Sequence, residues 1–208
     1  QAAQQSYNFI EGYEISFMIV FIVLVILLIL YIVYENHTRN KELLKYAQTD
    51  ALTGLYNKET TEQLTDELLS EDENKSHAFL ILDVDCFKQI NDIYGHAVGD
   101  IVLQKFGKLL KGTFREGDIL GRIGGDEFGV IMKNIQTKDI AMKKAEELLA
   151  KTQAYKIDEL KGNNISISIG ISTAPQDGDC YMDLYKRADQ ALYQAKRSGK
   201  ARVCNYFS

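Results

Sequence analysis

The sequence lacks three features that would place it in well-known protein classes: paired cysteines, an excess of positive charge and a P-loop. Its three cysteines, Cys86, Cys180 and Cys204, are odd in number, widely separated and without Cys-x-x-Cys spacing. They argue against a disulfide framework or a zinc site and fit a reducing compartment. The formal net charge of -5 gives no electrostatic footprint for duplex nucleic acid, so we expect no nucleic acid partner. No stretch matches Gly-x-x-x-x-Gly-Lys-Ser/Thr, which excludes a P-loop enzyme.

A long uncharged run lies near the start of the chain. Residues 15–34 are almost all Ile, Val, Leu, Phe and Met, and a helix of that length, at about 1.5 Å per residue, matches a bilayer core of ~30 Å. A signal peptide would need a basic start and a small-residue cleavage site, which are absent here. The run therefore predicts one transmembrane helix. A buried core helix is the alternative, although such helices usually keep a polar stripe.

Charges on either side of the run predict its orientation. Acidic residues precede it and basic residues follow it: Glu11 and Glu14, then Arg39, Lys41 and Lys45. The positive-inside rule predicts a single-pass protein of the inner membrane, with residues 1–14 as a short extracytoplasmic stub and everything after Tyr34 in the cytoplasm. Residues 35–48 have apolar residues at helical spacing and predict a helical connector. Residues 49–208 have a globular composition and predict one folded domain.

The remaining patterns predict an α+β fold. Residues 78–84 form an apolar run typical of a buried strand, and residues 119–132 hold two β-prone runs around a Gly-Gly pair, the pattern of a tight hairpin. In residues 165–172, isoleucines alternate with small residues, which indicates a strand with one apolar face and one small, polar face. Helical patterns between these strands predict helices around a central, mostly antiparallel sheet.

The predicted hairpin has an unusual tip. Asp126 and Glu127 place two like charges side by side directly after Gly124 and Gly125. Carboxylates suggest a cation, and the bare glycine backbone suggests a phosphate group beside it. An ordinary solvated acidic turn remains an equal alternative on this evidence alone.

A second acidic pair ends the predicted strand 78–84. An acid pair at the end of a strand often binds a metal, so Asp83 and Asp85 are candidate metal ligands. Asp85 could instead cap the next helix. If the hairpin tip faces Asp83, three carboxylates converge and fit Mg²⁺ held together with substrate phosphates. Three lysines could neutralise those phosphates: Lys88, and Lys196 and Lys200 one helical turn apart.

Several ordered motifs also resemble the GGDEF family, the diguanylate cyclases. The run Gly124-Gly125-Asp126-Glu127-Phe128 looks like the signature of that family. The other matching segments are Asp50-x-Leu-Thr-Gly-Leu-x-Asn57, Asp83-x-Asp85-x-Phe87-Lys88-x-x-Asn91-Asp92, Gly95-His96-x-x-Gly99-Asp100, Ser168-Ile-Gly170 and Ala191-Leu-Tyr193-x-Ala195-Lys196-x-x-Gly199.

The resemblance implies a palm-like fold, similar to nucleotide cyclases and ferredoxin-like folds, in a bacterial signalling enzyme. Residues 49–208 would be the catalytic domain and would bind one GTP per subunit. Two facing subunits would join two GTP into cyclic di-GMP with release of pyrophosphate, which implies a homodimer. Two Mg²⁺ ions per active site would be the cofactors, with Mn²⁺ as an alternative.

The resemblance also assigns roles to single residues. Asp83, Asp126, Glu127 and the Val84 carbonyl would hold the metal ions. Asp126 would help to deprotonate the ribose 3'-hydroxyl that attacks the α-phosphate of the facing GTP. Glu127 would be the second catalytic residue and would assist Asp83 and Asp126 at the metal ions.

Further residues would bind the substrate and the product. Asn91 and Asp100 would read guanine, since a carboxylate accepts the N1–H and N2–H pair that adenine lacks. The phosphates would meet Lys88, Lys196, Lys200, the turn Gly124 and Gly125, and the backbone N–H groups of Cys86 and Phe87. Arg115 and Asp118 match the inhibitory Arg-x-x-Asp motif and would bind the product.

Departures from the family pattern are few. Lys58 and Lys200 stand where arginine is usual, and Lys200 keeps the charge without bidentate phosphate geometry. Cys86 stands where an apolar residue is common. No metal ligand is lost, and the presence of Asp100 favours a product with two guanines.

Two rival functions stay open at this point. One is a catalytically silent GGDEF domain that binds GTP or cyclic di-GMP as a receptor. The other is a different palm-type nucleotidyltransferase, which would use ATP. The intact acids and glycines of the signature favour the active diguanylate cyclase.

Overall fold

The structure is a computed structural model that describes residues 18, 22–36, 48–71 and 75–206. The chain divides into two units, Gln1–Ala47 and Gln48–Ser208. In the first unit, residues 22–36 are helical. The predicted stub, residues 1–14, and residues 37–47 of the predicted connector lie outside the described residues.

The predicted location in the inner membrane is wrong on this structure. In the part of the chain that is described, no helix is long and apolar enough to cross a membrane. Residues 15–17 and 19–21 of the predicted transmembrane helix lie outside the described residues.

The second unit contains strands and helices in alternation. In chain order its elements are α1 (Lys58–Glu71), β1 (His77–Val84), α2 (Phe87–Tyr94), α3 (His96–Thr113), β2 (Ile119–Arg122), β3 (Glu127–Met132), α4 (Lys138–Ala154), a 3-10 turn (Asp158–Leu160), β4 (Ile167–Ala174), α5 (Tyr181–Arg197) and β5 (Val203–Asn205). The predicted α+β fold is confirmed. The sequence pattern did not predict helix α2. Polar residues such as Lys88, Asn91 and Asp92 are interleaved with its apolar residues Phe87, Ile90 and Tyr94, and these apolar residues are only partly buried.

The five strands form one sheet in the order β2-β3-β1-β4-β5. Neighbouring strands are antiparallel, except that β5 runs parallel to β4. Strand β1 is central, and all of its residues are buried. The carboxyl end of β1 therefore opens between β3 on one side and β4 on the other.

Apolar side chains cover both faces of the sheet. On one face, Leu80, Leu82 and Phe128 share a core with α3 and α4 residues such as Phe106 and Leu148. On the other face, the core unites Phe79, Ile81 and Ile131 with residues of α1 and α5. Because helices cover both faces, the exposed ends of the strands are the places where polar groups can gather.

Candidate active site

The tip of the hairpin lies beside the end of β1. In the β1–β3 register, Asp83 is paired with Glu127. The backbone N–H of Val84 donates to the carbonyl of Asp126 at 3.2 Å. The turn acids and the strand-end acid, distant in sequence, therefore share one edge of the sheet.

Backbone hydrogen bonds close the Gly-Gly turn. The N–H groups of Ile123 and Gly124 both donate to the carbonyl of Glu127, at 3.0 Å and 3.2 Å. A Cβ atom on Gly124 would lie 2.8 Å from Glu127 Oε2, so a side chain there would displace the carboxylate. A Cβ atom on Gly125 would meet nothing within 4 Å, which leaves open space for a ligand next to the backbone.

Arg122 braces the turn from strand β2. Its Nε and Nη2 donate to the carbonyl of Gly125 at 3.2 Å and 2.7 Å, and its Nη1 lies 3.1 Å from Asp50 Oδ2. Thr53 donates to the same Asp50 carboxylate from its backbone and its hydroxyl group. Burial opposes ionisation of Asp50, but the hydrogen bonds of Thr53 and the charge of Arg122 outweigh it and lower the pKa of that carboxyl. We had not predicted Arg122 as a site residue, although a charge inside an apolar hairpin strand was a usable signal.

Helix α5 brings a cation to the end of β1. Lys196 Nζ lies 2.7 Å from Asp83 Oδ2. The face of β4 that we predicted to be small and polar makes this approach possible. Its small residues let α5 pack directly on it, so this face is covered by the helix and does not face solvent. A Cβ atom on Gly170 would lie 2.1 Å from the carbonyl oxygen of Ala188 and 2.3 Å from the nitrogen of Leu192. The residues Ala188, Leu192 and Lys196 follow one stripe of α5, so the position of Lys196 depends on that close contact.

The surroundings of Asp83 and Glu127 disfavour the ionised forms of their carboxyl groups. Burial is the largest influence on Asp83 and raises its pKa; Lys196 opposes this, while Asp126 and Asp85 add to it. Burial also raises the pKa of Glu127, followed by the charge of Asp83. Such a site favours a bound cation. The oxygens of Asp83, Asp126 and Glu127 are not all within 4.8 Å of one another, so the carboxylates are more open than in a closed metal site.

An open cavity of about 830 Å³ lies against this edge of the sheet. It is lined by one acid of the turn and by residues of α5 and its end: Glu127, Asp189, Gln190, Leu192, Tyr193, Gln194, Lys196, Arg197 and Ser198. The lining includes both acids and cations, which suits a ligand that carries both phosphate and bound metal.

The predicted guanine-reading residues lie on α2 and α3. The side-chain oxygen of Asn91 is buried and has no hydrogen-bond partner among the described residues. A Cβ atom on Gly99 would lie 1.9 Å from that oxygen, so only glycine leaves room for it. Asp100 follows directly and is exposed. A buried acceptor without a partner is costly, and a ligand donor would satisfy it.

The predicted phosphate lysines do not share one helix. Lys88 is exposed near the start of α2. Helix α5 ends at Arg197, and Lys200 lies beyond it with a φ of 61°. The interpretation of Lys196 and Lys200 as one helical turn apart is therefore wrong. Lys200 Nζ instead reaches Cys86 Sγ at 3.1 Å, at the residue that precedes α2.

Asp85 does not cap α2. The N-cap residue is Cys86, with a φ of 58°, and it makes no capping bond through its side chain. The Asp85 carboxylate faces β4, where it accepts hydrogen bonds from Ser166 and Ser168. Only the fold could show this partner set, because it lies more than 80 positions along the chain.

Arg115 and Asp118 meet away from the acidic edge. Arg115 Nε lies 3.0 Å from Asp118 Oδ1, and its guanidinium also donates to the carbonyl of Lys133. Asp118 is nearly buried, whereas the Arg115 side chain is 60% exposed. A cavity of about 410 Å³ adjoins the pair and is lined by residues that include Asn134 and Lys144.

Comparison with known proteins identifies the family of the second unit. The family described as "Diguanylate cyclase, GGDEF domain" matches residues 47–202. Diguanylate cyclase A of Treponema denticola is 37% identical over 170 residues, which cover 79% of this chain and 46% of that protein. The response regulator PleD of Caulobacter vibrioides is 37% identical over 177 residues, covering 82% of this chain and 39% of that protein. The chain thus spans less than half the length of either relative.

Solved structures show the same fold. The GGDEF domain of TpbB (YfiN) from Pseudomonas aeruginosa superposes with a TM-score of 0.72 at 33% identity, over 76% of this chain and 94% of that chain. The coiled coil and GGDEF domain of DgcB from Caulobacter crescentus, solved in complex with c-di-GMP, gives a TM-score of 0.76 at 24% identity, over 83% and 93% of the two chains.

Proposed function

Because this chain belongs to the GGDEF family of diguanylate cyclases, which are nucleotidyltransferases, we propose that it condenses two GTP molecules into cyclic di-GMP and two pyrophosphates. Residues 49–208 form the proposed catalytic domain. Each subunit binds one GTP, so the reaction needs two chains that face each other. The observation that carries the proposal is the pairing of Asp83 with the Asp126-Glu127 turn beside the ammonium of Lys196.

The proposed reaction is an in-line substitution at phosphorus. In each half-reaction, a ribose 3'-oxygen forms a bond to the α-phosphorus of the facing GTP, and the bond from that phosphorus to the β-phosphate breaks. Pyrophosphate leaves, and the Asp126 carboxylate helps to take the 3'-hydroxyl proton. Glu127 assists at the same turn. Little further chemistry is needed, since such transfers depend mainly on position and charge.

The acidic edge suits magnesium. The proposed ligands of two Mg²⁺ ions, or of Mn²⁺, are the carboxylates of Asp83, Asp126 and Glu127 and the carbonyl of Val84. All are oxygen donors. Burial and, after it, neighbouring carboxylates raise the pKa of Asp83 and of Glu127, so a bound cation would stabilise their ionised forms, and Lys196 already pairs with Asp83. The bound ions supply Lewis-acid polarisation and neutralise phosphate charge.

Other groups of the chain bind the two ends of GTP. The buried acceptor of Asn91, together with Asp100, takes the donors of guanine. The proposed side-chain contacts to the phosphates come from Lys88, Lys196 and Lys200. The proposed backbone contacts come from Cys86 and Phe87 and from the turn residues Gly124 and Gly125. The left-handed backbone of Cys86 before α2 leaves N–H groups that a phosphate can bind.

Product inhibition is the second part of the proposal. Arg115 and Asp118 are already held together and border a cavity. The exposed guanidinium can reach a guanine edge, while Asp118 keeps its orientation. Cyclic di-GMP bound there slows further synthesis.

Turnover of GTP tests the proposal. The chain is incubated with GTP or ATP and Mg²⁺, and the products are separated by chromatography. We expect cyclic di-GMP from GTP, its loss in Asp126→Ala, and its retention in Asp139→Ala, which removes an exposed acid of α4. Circular dichroism checks that both variants fold. Undiminished turnover in folded Asp126→Ala contradicts the assignment; binding of GTP without turnover supports a silent receptor, and a product from ATP supports another nucleotidyltransferase.

A further inference from the structure

The carboxylate of Asp85 lies where β1, β4 and the loop after α5 meet. Asp85 is only 6% exposed, and a buried charge is costly unless hydrogen-bond donors surround it. Three donors do so: Ser166 Oγ at 2.5 Å, Ser168 Oγ at 2.7 Å and the backbone nitrogen of Ala201 at 3.2 Å. One side chain thus joins two neighbouring strands to the loop 198–202.

That loop has a backbone conformation that needs support. Lys200 has a φ of 61° and Ala201 a φ of 48°, in the left-handed region that residues with a side chain rarely adopt. Such conformations persist only where the surroundings hold them. The supporting hydrogen bonds run from Lys200 N–H to the Ala195 carbonyl, from Ile169 N–H to the Arg202 carbonyl, and from Ala201 N–H to Asp85.

The direction of the Lys200 side chain follows from this loop. Its ammonium crosses to the start of α2 and lies 3.1 Å from Cys86 Sγ. Cys86 directly follows Asp85, so the carboxylate holds the loop from the buried side of the bend while the ammonium lies on its exposed side. If the bond to Ala201 is lost, the loop can relax toward right-handed backbone, which turns Lys200 away.

We propose that Asp85 is a positioning residue of the nucleotide site, which holds loop 198–202 so that Lys200 stands at the phosphates of GTP. This inference rests on the proposed function, because it needs GTP to bind at the acidic edge. Asp85 itself touches neither substrate nor metal in this role. It acts through the backbone of Ala201.

A double-mutant cycle tests the coupling. The variants are Asp85→Ala, Lys200→Met and the pair of both, because alanine removes both carboxylate oxygens and leaves no acceptor for Ala201 N–H, whereas the amide oxygen of asparagine could still accept. The matched control is Asp177→Ala: Asp177 is 2% exposed and accepts from the nitrogen and hydroxyl of Thr173, at the other end of β4. Binding of an α,β-methylene analogue of GTP with Mg²⁺ to the 208-residue chain is measured by calorimetry.

We expect each single variant to weaken binding of the analogue roughly tenfold and the double variant to be at most about twofold weaker still, since both changes remove the same contact. Asp177→Ala should leave the affinity unchanged. Amide hydrogen exchange in the peptide that contains Ala201 should accelerate in Asp85→Ala and not in Asp177→Ala. Adding Ala201→Gly to Asp85→Ala should restore part of the affinity, because glycine adopts the left-handed backbone freely.

The outcomes separate this inference from the proposed function. If the two single effects multiply, or if exchange at Ala201 does not change, the role of Asp85 is refuted while GTP binding stands. If the unaltered chain does not bind the analogue, both the function and the inference fail. If Asp85→Ala does not fold, Asp85→Ser replaces it in the same cycle, because the shorter serine side chain can still pair with the hydroxyls of Ser166 and Ser168 but does not reach Ala201 N–H.

Discussion

A methyl group at Gly170 should separate α5 from the sheet and thereby disable the site. The added Cβ atom of Gly170→Ala would lie 2.1 Å from the Ala188 carbonyl and 2.3 Å from the Leu192 nitrogen, whereas contacts under 3.0 Å essentially never occur. Both obstacles are helix backbone, which cannot turn aside as a side chain can. The helix must therefore retreat by about 1 Å along this stripe.

The structure also sets the size of the effect. Overpacking of a core costs ~1–3 kcal/mol and occasionally more, and a collision with backbone places Gly170→Ala at about 3 kcal/mol. For a unit of this size, that corresponds to a fall in Tm of roughly 6–12 °C. Lys196 lies one turn beyond Leu192, so the same retreat draws its ammonium away from Asp83 and should lower GTP turnover in the fraction that stays folded.

The assay combines urea denaturation, followed by circular dichroism, with GTP turnover at a temperature where the variant is folded. Gly112→Ala is the control, because a Cβ there meets nothing within 4 Å inside α3, and alanine should stabilise the helix by ~0.5–1 kcal/mol. If Gly170→Ala unfolds at the same urea concentration as the unaltered chain, the proposed close packing of α5 on β4 is wrong.

Three further predictions concern the turn and the feedback site. The unaltered chain should lose stability as pH rises, and Glu127→Gln should lose less. Burial and the charge of Asp83 raise the pKa of Glu127 in the folded chain. The stability that Glu127 contributes is therefore complete below its ordinary pKa of 4.5 and is lost as pH rises through the raised pKa. Urea titrations with a chelator at about pH 4 and about pH 7 measure this, and an equal difference between variant and unaltered chain at both pH values contradicts it. Arg122→Lys should lower turnover by up to roughly 100-fold without unfolding the unit, since a lysine cannot bind Asp50 and the Gly125 carbonyl together; unchanged turnover would show that the turn needs no brace. Arg115→Ala should abolish inhibition by added cyclic di-GMP while initial turnover is kept, and inhibition that persists in this variant removes the feedback proposal.

The sequence alone was sufficient to predict the sheet and the position of the acids along it. Alternation of isoleucine with small residues from 165 to 172 identified β4, because side chains two apart in a strand share a face. The Gly-Gly pair identified the hairpin turn. Such patterns are local, so they remain readable without knowledge of the fold.

Partners across the fold were not readable in this way. The small face of β4 was predicted to be merely polar, yet it is the surface on which α5 lies. Lys196 and Lys200 were predicted to lie one helical turn apart, although the helix ends at Arg197. The uncharged run 15–34 was assigned to an inner membrane, but no helix that could span a membrane occurs in the described residues.

The sequence by itself determined which residues carry charge, which lack side chains and which repeat at the period of a strand or helix. The tertiary structure decided which of them meet: Asp83 with Lys196, Asp85 with Ala201, and Arg122 with Gly125. The physical reason is that a local pattern sets the face on which a side chain lies, whereas the group opposite that face is set by strand order and by how closely a helix can approach. At this site, that distance depends on the missing side chain of Gly170.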